Sequence, residues 1–196
     1  MIELKQTDTG IYYIHDYYPK RYRRITKDQD KIRKMIWAYK ELEEKSMDVF
    51  TNELMMAITI ICRQIRASKI GLIAVPPSKV SRESPIGTSI WNIKNWYDKG
   101  ITLDYFDCEK RIYDYSELLT RHTDISTAHE GKRASYNEQK ESIRCSRDRL
   151  WKYGTTFIIL DDVVTTGTSM EVCRDILVEN GSGKDKIYRL AIAKTV

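Results

Sequence analysis

Cysteine is scarce and scattered: Cys62, Cys108, Cys145 and Cys173 stand 46, 37 and 28 residues apart, with no Cys-x-x-Cys pair and no histidine at zinc-finger spacing. This disfavours both a structural zinc site and a disulfide framework. Long hydrophobic runs are lacking as well. The longest near-continuous apolar stretch, Leu54 to Cys62, has nine residues, whereas a membrane-spanning helix needs about 20. The opening residues MIELKQTDTG have neither the cationic start nor the apolar stretch of a secretion signal, so the expected compartment is the cytoplasm. No Gly-x-x-x-x-Gly-Lys-Ser/Thr string occurs, which removes a nucleoside-triphosphatase loop from consideration. What is present is a chain of 196 residues, 41% apolar and 31% charged, with aromatic and branched aliphatic residues throughout. That composition excludes bulk disorder and is long enough for one domain with a sizeable core. We read a single domain over 1–196, with a strand-and-helix part over 1–68 and a core over 69–196.

The formal net charge of +5 is a local property. Between Lys20 and Lys34 there are eight basic residues against Asp28 and Asp30, a balance of +6, so the remainder sums to −1. With Tyr17, Tyr18 and Tyr22 beside them, these cations suit a phosphate backbone and stacked bases; a solvated surface is the simpler reading of the same residues.

Periodicity supplies the elements. IYYIHDYY (Ile11 to Tyr18) is rich in strand formers and closes at Pro19, which predicts a short strand or hairpin at a sheet edge. From Asp30, Ile32, Met35, Ile36, Tyr39 and Leu42 recur at helical spacing, with Asp28 or Asp30 as the expected cap. A second helix is expected over about Met47 to Ala67, burying Phe50, Leu54, Ile58, Ile61 and Ile65. IGLIAV (Ile70 to Val75), FIIL (Phe157 to Leu160) and IYRLAIA (Ile187 to Ala193) read as buried parallel strands. After Leu160 the pattern turns from strand to turn to helix, with Met170, Cys173, Ile176 and Leu177 on its buried face and Asn180-Gly181 as its stop. Strand, helix and strand in so short a span make a βαβ unit and hence an α/β fold with a parallel pair. Glu109 to Arg149 is charged and weakly periodic, and is expected to form a mobile loop or hood.

The chemistry concentrates in FIILDDVVTTGTSMEV (Phe157 to Val172). Ligands of open parallel sheets bind beyond the carboxyl ends of the strands, so Asp161 and Asp162 are placed to accept hydrogen bonds from vicinal sugar hydroxyls. The turn over Val164, Thr165, Thr166, Gly167, Thr168 and Ser169 presents backbone N–H groups at a helix N-terminus and adds hydroxyl donors, a cradle for a phosphate monoester.

This string resembles the ribose-5-phosphate signature of the type I phosphoribosyltransferases: four apolar residues, Asp-Asp, two apolar residues, then Thr-Thr-Gly-x-Ser/Thr. The resemblance implies that family's fold, a mainly parallel sheet flanked by helices with a mobile basic lid. It also implies a catalytic pair, Asp161 and Asp162, on the ribose hydroxyls of phosphoribosyl pyrophosphate, with Val164 to Ser169 on its 5-phosphate. Upstream, IAVPPSK (Ile73 to Lys79) looks like the pyrophosphate loop of the ComF-like branch, which gives Pro76, Pro77, Ser78 and Lys79 that role. Ser84-Pro85-Ile86-Gly87 is similar to a Ser-Pro-Gly element of the same branch, interrupted by Ile86. The stretch Glu117 to Asn137 resembles the family's flexible lid, with Arg121, Lys132 and Arg133 as its cations over the departing pyrophosphate. Magnesium is implied as an ion carried by the substrate, not held in a protein cage. The chain departs from the branch in lacking its zinc-binding N-terminal module and its Gly-Phe-Asn element, and in having Ser126-Thr127-Ala128 where the lid commonly carries glutamine and glycine. The sugar-phosphate side is thus intact while the nucleobase side is altered.

Two functions follow as expectations. One is a phosphoribosyltransferase acting on phosphoribosyl pyrophosphate, or a binder of a nucleotide 5-phosphate. The other is a non-catalytic regulatory or effector module of a DNA-processing or anti-phage, retron-like complex that keeps the pocket. A nucleic-acid or protein partner is expected at Lys20 to Lys34, no membrane is expected, and a homo-oligomer is left open.

Overall fold

The computed structural model describes residues 2–22, 24–65, 67–101, 111–126, 134–146 and 154–196. The chain starts with a hairpin, β1 (Lys5–Gln6) and β2 (Tyr12–Tyr17), closed where the Gly10 N–H donates to the Thr7 carbonyl at 2.9 Å. Helices α1 (Lys27–Lys40) and α2 (Glu44–Gln64) lead to β3 (Lys69–Ala74), and α3 (Pro85–Asp98) leads to β4 (Arg111–Asp114). A small antiparallel pair, β5 (Leu119–Arg121) and β6 (Ile143–Cys145), brackets the short α4 (Tyr136–Glu141). Strand β7 (Thr156–Val164), α5 (Thr168–Glu179) and β8 (Ile187–Thr195) complete the described elements.

The six strands of the main sheet run in the order β1-β2-β8-β7-β3-β4, parallel except for β1. The expected α/β architecture is therefore present, with β7-α5-β8 as its βαβ unit. Strand alternation distributes the apolar runs to both faces. Ile70, Leu72, Ile158 and Leu160 pack with α1, α2 and α3, whereas Ile73, Phe157 and Ile159 pack with α5 and the β5–β6 hood. Among the described residues no helix is long and apolar enough to cross a membrane.

Several expectations change in detail. The cap of α1 is Thr26, not Asp28 or Asp30: its side chain accepts the Gln29 N–H at 3.2 Å while Gln29 Oε1 accepts the Thr26 N–H at 2.9 Å. This capping box starts the helix at Lys27 and leaves Asp30 to Arg33 and Lys34. Helix α2 begins at Glu44 and ends at Gln64, about three residues early at each end. Strand β7 does not stop at Leu160, because β8 continues beside it to the Val164–Lys194 pair. The carboxylate pair thus lies within β7, alongside β8, not beyond the strand's end. The segment expected as a loop holds β4 in parallel register with β3, and within it β5, β6 and α4 are ordered elements.

Topology then selects the site. From β3 the chain crosses through α3 to β4 on one side, and from β7 it crosses through α5 to β8 on the other. The strand order reverses between β3 and β7, and the crevice beyond their carboxyl ends is where open α/β sheets bind ligands.

Candidate functional site

The β7–α5 turn forms one wall of that crevice. Gly167 caps α5 with φ +82°, and a Cβ there would lie 2.6 Å from Ile11 Cδ1, so both backbone conformation and space demand glycine. The first N–H groups of α5 have no acceptor within the helix and point toward the turn. Thr165 and Thr166 are exposed, and the Thr166 and Thr168 hydroxyls lie 2.9 Å apart. Ser169 is differently committed: its hydroxyl donates to Gln139 Oε1 at 2.7 Å, so α4 reaches across to the turn. Together with Asp161, Ser78 and Tyr136, these residues line a cavity of about 430 Å³.

Asp161 and Asp162 are partly buried neighbours on β7 and therefore face opposite sides of the sheet. Asp161 faces the α5 side, where its charge helps push the Cys173 thiol up to about 12, behind the larger effect of burial. Its own carboxyl is held well above the usual carboxylate range by burial first and by Asp162 second, against the opposing effects of Lys40 and of the Asp162 N–H donated at 2.8 Å. Asp162 faces α1, where the Lys40 ammonium lies 3.2 Å from its Oδ1.

The loop after β3 forms the opposite wall. Pro76, Pro77 and Ser78 line a second cavity of about 230 Å³ with Asp161, Asp162 and Lys40, while Lys79 does not line it. The peptides of this loop are trans and none of its residues has positive φ. The loop is instead braced from the hood. Arg121, buried, donates from Nε to the Pro77 carbonyl at 2.7 Å and from its terminal nitrogens to Pro76 O and Ser142 Oγ. The Ile125 N–H donates to Ser78 O at 3.0 Å, and the Val80 N–H to Asp124 Oδ1 at 2.7 Å. Arg121 is thus a strut beneath the loop rather than a cation on an exposed lid. Lys132 and Arg133 lie outside the described residues. Ser84 has a local role: its hydroxyl accepts the Gly87 N–H at 3.0 Å as the cap of α3, with Pro85 at the first helical position.

Lys40 and Gln139 are among the cavity residues that were not found from sequence. Lys40 sits in the last turn of an amphipathic helix, and nothing local marks its pairing with a distant strand. Gln139 lies on α4, whose capping box Ser135-Tyr136-Asn137-Glu138 is a legible helix start in the stretch assigned to a loop. Compared with known protein families and with curated proteins, the chain matches none.

Proposed function

We propose that the crevice binds the ribose 5-phosphate portion of phosphoribosyl pyrophosphate or of a nucleotide, and that the chain transfers this group with loss of pyrophosphate. One observation carries the reading. The phosphate-type turn headed by Gly167 and the carboxylate pair share a continuous crevice, since the two cavities have Ser78, Ile125, Asp161, Val163 and Ser169 in common. A phosphate at the α5 N-terminus leaves its sugar hydroxyls near Asp161 and its C1 substituent toward Pro76 to Ser78. In the transfer, the bond from C1 to the diphosphate oxygen breaks with its electron pair leaving on pyrophosphate. The acceptor's lone pair forms the new bond to C1 and the acceptor gives up a proton. Magnesium enters with the diphosphate as part of the substrate.

Calorimetric titration tests the reading. Phosphoribosyl pyrophosphate with magnesium, ribose 5-phosphate and a nucleoside monophosphate are each added to millimolar concentration, and at least one is expected to bind the wild type. Failure of all three removes the assignment.

The regulatory-module reading is favoured by one surface. Lys20 lies 4.0 Å over the Trp37 ring and Arg21 5.5 Å from the Tyr22 ring, next to Tyr18, which packs edge-on against Tyr22. If this surface holds single-stranded nucleic acid, each phosphate neutralised adds about −0.7 to the slope of log affinity against log salt. Replacing Arg21, Arg23 and Arg24 by serine is then expected to flatten the slope by about 2. A salt-insensitive or undetectable interaction returns the segment to an ordinary solvated surface.

A further inference from the structure

The end of α1 is built into the crevice from three sides. Tyr39 is fully buried, with its hydroxyl 2.9 Å from Ser89 Oγ, which lies 2.8 Å from Thr51 Oγ1; this buried chain fixes α1 to α3 and α2. The next residue, Lys40, has its carbonyl held by an Arg82 terminal nitrogen at 3.0 Å, and Arg82 also pairs with Glu41 at 3.1 Å. Lys40 itself extends into the 230 Å³ cavity opposite Pro76 to Ser78 and rests on Asp162. Burial opposes its charge, but the carboxylates of Asp162 and Asp161 outweigh that and keep it an ammonium.

Among the described residues three cations line this cavity: Lys40, Arg82 and Arg121. Arg82 is occupied by Glu41 and the Lys40 carbonyl, and Arg121 by Pro76, Pro77 and Ser142. Lys40 differs in kind, because its partner is a carboxylate that the proposed ligand's hydroxyls would engage. A flexible stem and three donors also let an ammonium change partners with little rearrangement. We infer that Lys40 is the diphosphate-binding cation of the crevice, exchanging Asp162 for a phosphate oxygen when a diphosphate-bearing ligand enters. The inference rests on the ribose-phosphate reading and adds to it a residue for the leaving-group side.

Inorganic pyrophosphate and ribose 5-phosphate, titrated separately into wild type, Lys40→Met and Lys40→Arg, test it. Lys40→Met is expected to weaken pyrophosphate about tenfold or more, since a charge-assisted bond to phosphate is lost, and to leave ribose 5-phosphate within about twofold. Lys40→Arg is expected to recover most of the pyrophosphate affinity, which a merely structural role for the side chain does not require. In the wild-type chain the Lys40 Cε–Hε resonances are expected to shift on adding pyrophosphate, a measurement that needs no variant to fold. Unchanged pyrophosphate affinity in Lys40→Met, absent Lys40 shifts, or a wild type that binds ribose 5-phosphate but not pyrophosphate overturns the inference alone. A wild type that binds neither probe removes the ribose-phosphate reading and the inference together.

Discussion

Gly167→Val is expected to lower the melting temperature by about 10 °C and to abolish ribose 5-phosphate binding. A branched residue forced to φ +82° costs about 1–3 kcal/mol. Its Cβ, placed 2.6 Å from Ile11 Cδ1, adds an overpacking cost of about 1–3 kcal/mol, because Ile11 is itself buried and has little room to yield. The sum is about 2–6 kcal/mol, and in a chain of this size each kcal/mol moves the midpoint by about 2–4 °C. Relief of the clash requires the turn to move, which re-aims the N–H groups at the start of α5. Thermal unfolding and a ligand titration on the same variant check both halves. A variant that melts with the wild type shows that the turn is not held against Ile11.

Asp161→Asn is expected to separate binding from stability in opposite directions. The native carboxyl is raised above its ordinary value of 3.8 by burial and by Asp162. A group raised in the folded state contributes its full stability below its unfolded value and loses it as pH climbs through the raised value. Asparagine keeps the shape and removes the ionisation, so at pH 8 the variant is expected to melt roughly 3 °C above the wild type, an advantage that disappears near pH 4. At pH above the raised value, where the native group is a carboxylate, ribose 5-phosphate affinity is expected to fall about tenfold or more, since a charged acceptor for the sugar hydroxyls is gone. Melting curves across this pH range, paired with titrations, check the two effects. A variant less stable at pH 8 than the wild type contradicts the electrostatic description of the pair.

The parts of this arrangement legible in sequence are those written within a few residues of one another. Phe157 to Leu160, the glycine in the turn and the apolar spacing from Met170 to Leu177 specify strand, turn and helix locally, and the βαβ unit follows from them. Strand β4 is hidden because it has four residues and only Ile112 among them is fully buried, the pattern of a short edge strand. The continuation of β7 through Asp161 and Asp162 is set by the length of its neighbour β8, which no window around the two carboxylates contains. Long-range pairings are the least legible. Arg121 carries the same charge in a lid as in a strut, and only the folded position of Pro76 and Pro77 makes it the latter. Lys40 becomes a site residue because Tyr39 is drawn into a buried hydroxyl chain with Ser89 and Thr51.

Amide-resolved nuclear magnetic resonance reads directly whether a sugar phosphate sits between the β7–α5 turn and the carboxylate pair. On titrating ribose 5-phosphate into the isotope-labelled chain, saturable shifts of the Thr166, Gly167, Thr168 and Ser169 amides are expected, with smaller ones at Asp161 and Asp162. A spectrum unchanged at millimolar ligand, or one whose shifts are confined to the basic segment from Lys20 to Lys34, would contradict that placement.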